Sequence, residues 1–407
     1  MKKFLIISTS LILASVILFV VSLGHFIKVN NVEETKAPTV APTVVPTLGE
    51  IDAPTGAKMP ESWQDNGIFS QYYDKAYAQV MSMSSEELAG QLIIGYCPTN
   101  SEADTAASYY NLSGYLYTSS NFYNMTMDQI KSTISTHKQS TKIPMIAAVV
   151  EEGGAKNTLS DLDAFYEYEF ASPRTTFANG GIDELKRVEG EKAHMLASVG
   201  INLNLGTVCD MATESNHIMY SRSLGGTVDE TSEYVEEVVK VSQNKGVSAT
   251  LKHFPGYGTL PDPNVHVVVD ERSASEFEST DYKPFESGAK AGVHCIMMSS
   301  VLVRNLDAKC ISSLSPYMHT VLRDDLDYTG LIITDNLDAA DFSEYSGGKN
   351  VYVQAIIAGN DQIIVSNIDT AYNAILSAIN DGTLDLETVQ KACTRVLAYK
   401  RAAGILK

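Results

Sequence analysis

Cysteine is scarce in this sequence and follows no recognisable pattern. The chain of 407 residues has five cysteines, an odd number, and no two of them stand in CxxC spacing. Such usage argues against both a disulfide framework and a zinc cluster. We expect these cysteines to be mostly buried, small apolar residues: Cys97, Cys209, Cys295, Cys310 and Cys393.

Basic charge is also sparse. The sequence has 30 Lys and Arg residues against 49 Asp and Glu residues, a net charge of −19, and no basic cluster longer than Lys2-Lys3. Because such a chain lacks the electrostatic footprint that nucleic acid requires, we expect no nucleic-acid partner. A disordered chain is also excluded, since 44% of the residues are hydrophobic and can bury a substantial core.

Residues 1–30 combine a basic start with a long apolar run. The run extends without a charge from Phe4 to Val21 and beyond, and about 20 such residues span a bilayer core of roughly 30 Å. A cleaved signal peptide starts in the same way and would give a secreted protein. Because the run exceeds the usual signal core, we expect an uncleaved membrane anchor and an extracytoplasmic domain. Residues 31–60 contain "APTVAPTVVPT" and predict an extended Pro/Thr-rich linker.

Residues 61–407 alternate short apolar runs with helical stretches. This alternation predicts an α/β fold, a single (β/α)8 barrel of the TIM type. A doubly wound open sheet is the alternative, but "IIGYCPTN" lacks the Gly-rich phosphate-binding turn that would follow its first strand. The eight expected strands are Leu92–Tyr96, Gly114–Thr118, Pro144–Val149, Ile201–Leu205, Val247–Leu251, Val293–Ser299, Leu331–Thr334 and Gln362–Val365.

Polar residues follow several of these runs. In a barrel the carboxyl ends of the strands meet at one rim, where the active sites of such folds lie. Desolvation of a polar group costs free energy, so several such groups at one rim favour a functional site over a role as isolated helix caps. The residues are Glu151 and Glu152 after the third strand, Asp210 after the fourth, Lys252 and His253 after the fifth, and Asp335 after the seventh.

Five motifs carry a family resemblance. They are "INLNLGTVCDM", "YSRSLGG", "LKHFPGYG", "SLSPYMHTVLRDDLDYTGLIITDNLDAADF" and "RVLAYKRAAGIL". Together and in this order they resemble glycoside hydrolase family 3, specifically its single-domain, NagZ-like β-N-acetylhexosaminidase branch. The match runs from about Ser84 to Lys407 and so covers the predicted barrel.

The resemblance implies a retaining double displacement through a covalent glycosyl-aspartate. By the match to "TDN", Asp335 would be the nucleophile. His266, on the loop after "LKHFPGYG", would be the acid/base, and an unperturbed histidine pKa of about 6.5 suits that task. Lys252, His253 and Arg222 match positions that bind sugar hydroxyls or the N-acetyl group. This chemistry requires no metal or organic cofactor.

Three positions depart from the family pattern. Val150 stands where the motif "DQEGGR" has an aspartate that binds sugar hydroxyls, and the two glutamates that follow it are expected to point elsewhere. Asn264 stands where an aspartate would partner the histidine, and it can orient an imidazole without stabilising the imidazolium. Asp262 could replace it. Tyr257 takes the place of the second histidine of "PGHG".

We therefore predict a hydrolase that removes terminal β-linked sugars from a carbohydrate substrate. The expected sugar is N-acetylglucosamine from peptidoglycan-type glycans. The alternative is a catalytically impaired barrel that acts as an anchored, glycan-binding protein of the cell wall, since the departures at Val150 and Asn264 also fit a decayed site.

Simpler roles for the same residues remain open. Asp335 could cap a helix that starts near Leu337. Lys252 and Arg222 could be ion-pair partners within the barrel rim. A zinc hydrolase that uses His253, His266 and His294 is disfavoured, because the sequence has neither HExxH nor an HxH at the end of its first strand.

Overall fold

Eight parallel strands close into a barrel in the computed structural model, which describes residues 57–258 and 267–407. Around the barrel, neighbouring strands follow in the order Ile93–Tyr96, Gln362–Val365, Leu331–Asn336, Cys295–Met298, Ser248–Phe254, Leu203–Val208, Ile146–Val149 and Gly114–Leu116, which closes on the first. The predicted fold and all eight predicted strands are confirmed. The strands of the described residues are β1 Ile93–Tyr96, β2 Gly114–Leu116, β3 Ile146–Val149, β4 Leu203–Val208, β5 Ser248–Phe254, β6 Val268–Asp270, β7 Cys295–Met298, β8 Val301–Val303, β9 Leu331–Asn336 and β10 Gln362–Val365.

Helices alternate with the barrel strands along the chain. The longest, Pro173–Ser198, is interrupted at Gly180 and Gly181, whose backbone is not helical. A short π-helix, Val321–Asp325, follows the helix that ends at Thr320. The α-helices are Tyr73–Val80, Ser85–Gln91, Asn100–Tyr110, Met127–Gln139, Pro173–Ser198, Val228–Asn244, Ala274–Ser279, Tyr282–Lys290, Pro316–Thr320, Val351–Ala358, Ile368–Asp381 and Leu386–Ala402.

Local sequence explains where these elements form. The side chain of Ser84 accepts a hydrogen bond from the Glu87 N–H, and the Glu87 carboxylate accepts one from the Ser84 N–H. This reciprocal capping box fixes the predicted helix start at Ser84. The barrel strands lie between the helices and the barrel interior, so both of their faces are buried and they read as short apolar runs.

Three of the barrel strands extend further than the sequence predicts, β4 to Val208, β5 to Phe254 and β9 to Asn336. Lys252 and His253 were expected after the fifth strand and Asp335 after the seventh, but all three lie within strands β5 and β9. The reason is that the ladders to neighbouring strands continue past the apolar residues, as the pairing of Val208 with Lys252 illustrates. Strand ends therefore present these side chains from a hydrogen-bonded backbone and not from a loop.

Strands β6 and β8 form a small parallel sheet outside the barrel. Val268 pairs with Val301, and Asp270 pairs with Val303. This sheet was not predicted from the sequence, because each strand has only three residues. Strand β6 begins at Val268, two residues after the predicted site residue His266.

Several predictions lie outside the described residues. The expected anchor, residues 1–30, and most of the expected linker, residues 31–60, belong to this group, and the domain boundaries stay predictions. Within residues 57–258 and 267–407, no helix is both long and apolar enough to cross a bilayer. The same residues hold no cluster of three metal-ligating side chains, and all five cysteines are free, with Cys209, Cys295 and Cys393 buried.

Candidate functional site

Three charged side chains meet at the carboxyl rim of the barrel. The Arg222 Nη2 lies 2.6 Å from Oε1 of Glu152, and the Arg222 Nε donates to Oε2 at 2.8 Å. The Lys252 Nζ lies 2.6 Å from the same Oε1 and donates a further hydrogen bond to the carbonyl of Leu205. One carboxylate from the loop after β3 thus holds the two cations that the sequence predicted as substrate ligands.

Burial and charge act in opposite directions on this cluster. Burial raises the pKa of Glu152, but the Lys252 ammonium and the Arg222 guanidinium outweigh that effect and lower the pKa to about 2. Burial also lowers the pKa of Lys252, although the Glu152 charge opposes it. Since the Arg222 side chain keeps 17% exposure, it is the member of the cluster that reaches towards solvent.

This role of Glu152 was not predicted from the sequence. Glu151 and Glu152 both follow the last residue of β3, so the alternation of a strand no longer decides their directions. The Glu151 carboxylate turns away and accepts hydrogen bonds from the N–H groups of Thr158, Leu159 and Ser160. The Glu152 carboxylate, which is fully buried, points to the cations instead.

His253 is held by a buried carboxylate. Its Nδ1 lies 2.8 Å from Oδ2 of Asp210, and the Tyr257 N–H donates to Oδ1 of Asp210 at 2.8 Å. Because a carboxylate only accepts, Nδ1 carries the proton, and Nε2 of a neutral His253 is an acceptor. The ring of Tyr257 packs 4.6 Å from that of His253. Asp210 therefore orients both the imidazole and the turn that follows it.

Asp335 lies near the end of β9 and is partly exposed. Within the described residues its carboxylate accepts one hydrogen bond, from the Asn336 N–H at 2.7 Å, which leaves its second oxygen without a donor. Burial, followed by the Asp335 charge, raises the pKa of Tyr96 to about 12, and the same charge acts on Lys252. The sequence analysis did not single out Tyr96, which ends β1 and has a phenol near this carboxylate.

Of the two simpler roles, the structure contradicts helix capping by Asp335 and supports ion pairing by Lys252 and Arg222. The residues directly after β9 form turns, a short 3-10 helix follows at Ser343–Tyr345, and the next α-helix begins at Val351 with Asn350 as its cap. The expectation that Asp335 might cap a helix near Leu337 is therefore wrong. The expectation of an ion-pair role is confirmed for Lys252 and Arg222 through Glu152. That role does not consume every donor, since an ammonium has three N–H bonds and a guanidinium has five.

The remaining predicted site residues fall into two groups. His266, Asn264 and Asp262 lie in residues 259–266, outside the described residues, so their roles stay predictions. Val150 is partly exposed, and its backbone N–H and C=O both bond to the hydroxyl of Thr158. Its isopropyl group packs against the core and brings no hydrogen-bonding group to the site.

Of the three histidines of the zinc alternative, His266 lies outside the described residues, and the other two, His253 and His294, are not grouped. His294 precedes β7 and lies at the amino end of the barrel, where its Nδ1 is 2.8 Å from the hydroxyl of Ser248, the first residue of β5. His253 stands at the opposite end of the same strand. Burial lowers the pKa of His294 to about 4, so His294 has the character of a neutral structural residue.

A closed (β/α)8 barrel with charged groups at the carboxyl ends of its strands is the architecture of the TIM-barrel enzymes. Residues 84–399 match the family model described as "Glycosyl hydrolase family 3 N terminal domain", and the chain belongs to this family, as its motifs predicted.

Curated relatives and a solved structure resemble the chain over most of the barrel. A "Beta-N-acetylglucosaminidase/beta-glucosidase" of Cellulomonas fimi is 24% identical over 295 residues, which cover 69% of this chain and 51% of the relative. A "Beta-hexosaminidase" of Xylella fastidiosa is 26% identical over 264 residues, or 62% of this chain and 75% of the relative. The structure of a family 3 beta-N-acetylglucosaminidase from Paenibacillus sp. str. FPU-7 has a TM-score of 0.73 and 23% identity, covering 80% of this chain and 63% of that one.

The chain spans about half the length of the Cellulomonas fimi relative. At 23% identity the likeness to the solved structure concerns the fold.

Proposed function

We propose that the protein is a retaining glycoside hydrolase that releases terminal β-linked sugars through a covalent intermediate on Asp335. The observation that carries the proposal is the position of Asp335. Its carboxylate stands on a barrel strand, partly exposed, with one oxygen that receives no hydrogen bond from the described residues. A nucleophile requires this combination of a fixed backbone and a free lone pair.

The neighbouring groups fit the binding of a sugar. Lys252 and Arg222 retain N–H bonds beyond those that Glu152 and Leu205 use, and sugar hydroxyls or an N-acetyl carbonyl can accept them. Nε2 of His253 can accept a hydroxyl proton while Asp210 fixes the ring. Since the ion pairs fix the Lys252 and Arg222 side chains before substrate binds, these donors need little reorientation to reach the transition state.

The proposed reaction has two displacements. An oxygen of Asp335 attacks the anomeric carbon, the glycosidic bond breaks, and the leaving oxygen takes a proton from His266. His266 then removes a proton from water, the water oxygen attacks the anomeric carbon, and the bond to Asp335 breaks. Asn264 or Asp262 would orient the imidazole. The roles of these last three residues rest on the family resemblance.

The expected substrate is N-acetylglucosamine at the end of a peptidoglycan-type glycan. Relatives named for activity on N-acetylglucosaminides and hexosaminides support this choice of sugar. The apolar run of residues 1–30 supports an extracytoplasmic location through an anchor, or secretion after cleavage. Mass spectrometry of the protein from isolated membranes would distinguish an intact amino terminus from a cleaved one.

Turnover of nitrophenyl β-glycosides by the purified full chain tests the proposal. The panel contains the N-acetylglucosaminide, the glucoside and the xyloside. We expect cleavage of one sugar and a loss of about a thousandfold or more in Asp335→Asn, whose amide is a poor nucleophile. Asp381→Asn, the same change at an exposed helix end, should retain the activity.

Three further outcomes are decisive. A folded chain that is inactive on the whole panel but binds the sugars would favour the glycan-binding alternative, with Val150 as the first position to examine. Turnover that survives in Asp335→Asn would refute the nucleophile. Release of sugar 1-phosphate in phosphate buffer would reassign the acceptor from water to phosphate.

A further inference from the structure

Arg174 holds together the loop that follows β4, residues 209–227, which we call the β4 loop. The Arg174 Nε donates to the carbonyl of Tyr220 at 2.8 Å, and its Nη2 donates to the carbonyl of Ala212 at 2.5 Å. These two acceptors lie in different halves of the loop, and Tyr220 is two residues before the predicted sugar ligand Arg222. One guanidinium therefore ties the start of the β4 loop to the turn that carries this ligand.

The loop encloses the guanidinium on several sides. The Arg174 guanidinium carbon lies 3.8 Å from the ring centroid of Tyr220. Its Nη2 lies 3.4 Å from the hydroxyl of Ser223, which donates to the same carbonyl of Ala212 at 3.3 Å. Gly225 has a φ of +74°, and a Cβ there would lie 2.0 Å from the Arg174 guanidinium carbon. The backbone thus packs directly on a planar group that stacks and donates at once, as only arginine can.

Arg222 lies inside a hydrogen-bonded turn of this loop. Its N–H donates to the carbonyl of Met219 at 3.0 Å, and the Ser223 N–H donates to the same carbonyl at 2.8 Å. Arg174 binds the Tyr220 carbonyl within this turn and the Ser223 hydroxyl at its end. The backbone of Arg222 therefore cannot shift without the loss of hydrogen bonds to Arg174.

The start of the helix that carries this guanidinium also contacts the loop of Glu152. The Gly154 N–H donates to the carbonyl of Phe170 at 2.7 Å. Gly153 has a φ of +96°, and a Cβ there would lie 2.4 Å from the carbonyl oxygen of Ala171. The helix start is thus in contact with both loops of the ion pair, the one that supplies the carboxylate and the one that supplies the guanidinium.

We propose that Arg174 is a positioning residue for the glycosidase reaction, because it fixes the backbone from which Arg222 reaches the sugar. This inference rests on the proposed function, in which Arg222 donates to a sugar hydroxyl or to the N-acetyl carbonyl. Glu152 restrains the Arg222 side chain at its guanidinium, and Arg174 restrains it at its backbone. A displacement of about 1 Å can cost about a hundredfold in rate, so the second restraint affects the reaction as well as the first.

The kinetic test uses Arg174→Lys, which keeps the charge but has no planar fork to stack and donate at once. Because Arg222 would hold the sugar both in the ground state and in the transition state, we expect KM for the cleaved nitrophenyl glycoside to rise about tenfold. We expect kcat to change about threefold or less. Arg187→Lys is the matched control on the same helix, because Arg187 pairs with Glu184 and Glu191 at the surface.

A double-mutant cycle decides whether Arg174 acts through Arg222. In an Arg222→Ala background, Arg174→Lys should change kcat/KM by about twofold or less, since the ligand that it positions is already absent. The 2,4-dinitrophenyl glycoside keeps the turnover of the weak variants measurable, and urea unfolding establishes that each variant is folded. If Arg174→Lys does not fold, Tyr220→Leu, which removes only the ring under the guanidinium, takes its place. Equal losses in both backgrounds would overturn the positioning role and leave Arg174 as a support of the fold.

Hydrogen exchange tests the attachment without any turnover. In Arg174→Lys we expect faster amide exchange at Tyr220, Arg222 and Ser223, whose N–H groups are hydrogen-bonded within the β4 loop, and unchanged exchange in Arg187→Lys. Unchanged exchange in Arg174→Lys would overturn the attachment.

The readouts separate this inference from the proposed function. A wild-type chain that cleaves no glycoside would refute the proposed function and, with it, the catalytic part of the inference. Hydrogen exchange would still decide whether Arg174 fixes the turn that carries Arg222.

Discussion

The Glu152 carboxylate and the Lys252 ammonium form an ion pair 2.6 Å apart, with both side chains almost completely removed from solvent. Arg222 shares the same carboxylate, so one negative charge faces two positive ones. A net positive charge therefore remains near Asp335, at the rim where we place the sugar. A substitution that removes the Glu152 charge should therefore affect both predicted sugar ligands, Lys252 and Arg222.

Glu152→Gln should impair both activity and stability. The amide leaves two buried cations without their counter-charge, and loss of one partner from a buried pair costs about 3 to 5 kcal/mol. We expect kcat/KM to fall about a hundredfold, because the donors lose their alignment. Urea unfolding and nitrophenyl glycoside kinetics measure the two effects. Glu191→Gln, at an exposed surface pair, is the control, and equal behaviour of the two variants would contradict the prediction.

The ion pair should also make the free energy of unfolding depend on pH in the acidic range. The folded pKa of Glu152 is about 2, below its ordinary value of 4.5, so the folded state holds fewer protons between these pH values. The stabilisation is complete above pH 4.5 and is lost as the pH falls towards 2, and a shift of this size corresponds to about 3 kcal/mol. Denaturation curves between pH 6 and about pH 3 should converge for the wild type and Glu152→Gln. Parallel curves would argue against the assignment.

Asp210→Asn should weaken substrate binding more than it changes the chemical step. The amide can replace only part of the bonding to His253 and the Tyr257 N–H, and hydrogen bonds to a charged group contribute about 1.5 to 3 kcal/mol. We expect KM to rise about tenfold or more while kcat changes less. Asp229→Asn, in the first turn of the helix Val228–Asn244, provides the comparison. A loss confined to kcat would assign Asp210 to the chemical step instead.

Lys400 should destabilise the protein at neutral and acidic pH. It is fully buried, its Nζ donates to the side chain of Gln91 at 2.8 Å, and burial lowers its pKa from 10.5 to about 7. Between pH 7 and pH 10.5, Lys400 is protonated in the unfolded chain but neutral in the folded protein. The free energy of unfolding therefore rises with pH over this range, by at most about 5 kcal/mol.

Lys400→Met tests this account of Lys400. The substitution should raise the melting temperature at pH 6 and abolish most of the rise between pH 7 and 10. Lys391→Met, an exposed position on the same helix, should keep the rise. Lower stability of Lys400→Met at pH 6 would show that the hydrogen bond to Gln91 outweighs the burial of the charge.

The barrel could be predicted because its strands are buried on both faces and separated by helices. Eight runs such as Gln362–Val365 therefore stand out as apolar segments of the right length. The sheet of Val268–Asp270 and Val301–Val303 could not be found in this way, since each strand has three residues. Strand ends were also set too early, because Lys252 and Asp335 are polar but still belong to hydrogen-bonded ladders.

The site could be predicted only in part. Motif matches identified Lys252, Arg222 and Asp335, which the structure places at one rim. The bonds from Glu152 to Arg222 and Lys252 join residues that are distant along the chain, and no local pattern specifies such contacts. A glutamate beside two glycines after a strand was the available signal for Glu152, but it does not indicate the direction of the side chain.

The small sheet of β6 and β8 has a consequence for engineering. Strands β5 and β7 are neighbours in the barrel, yet the chain between Phe254 and Cys295 makes a long excursion that contains β6 and two helices, and β6 pairs with β8, which follows β7. The part of this excursion that lies outside the barrel ladders can therefore be exchanged. A replacement of different length between Gly258 and Val267 should leave the ladders of the barrel in register, so alternatives to the proposed acid/base residue His266 can be screened there on an unchanged scaffold.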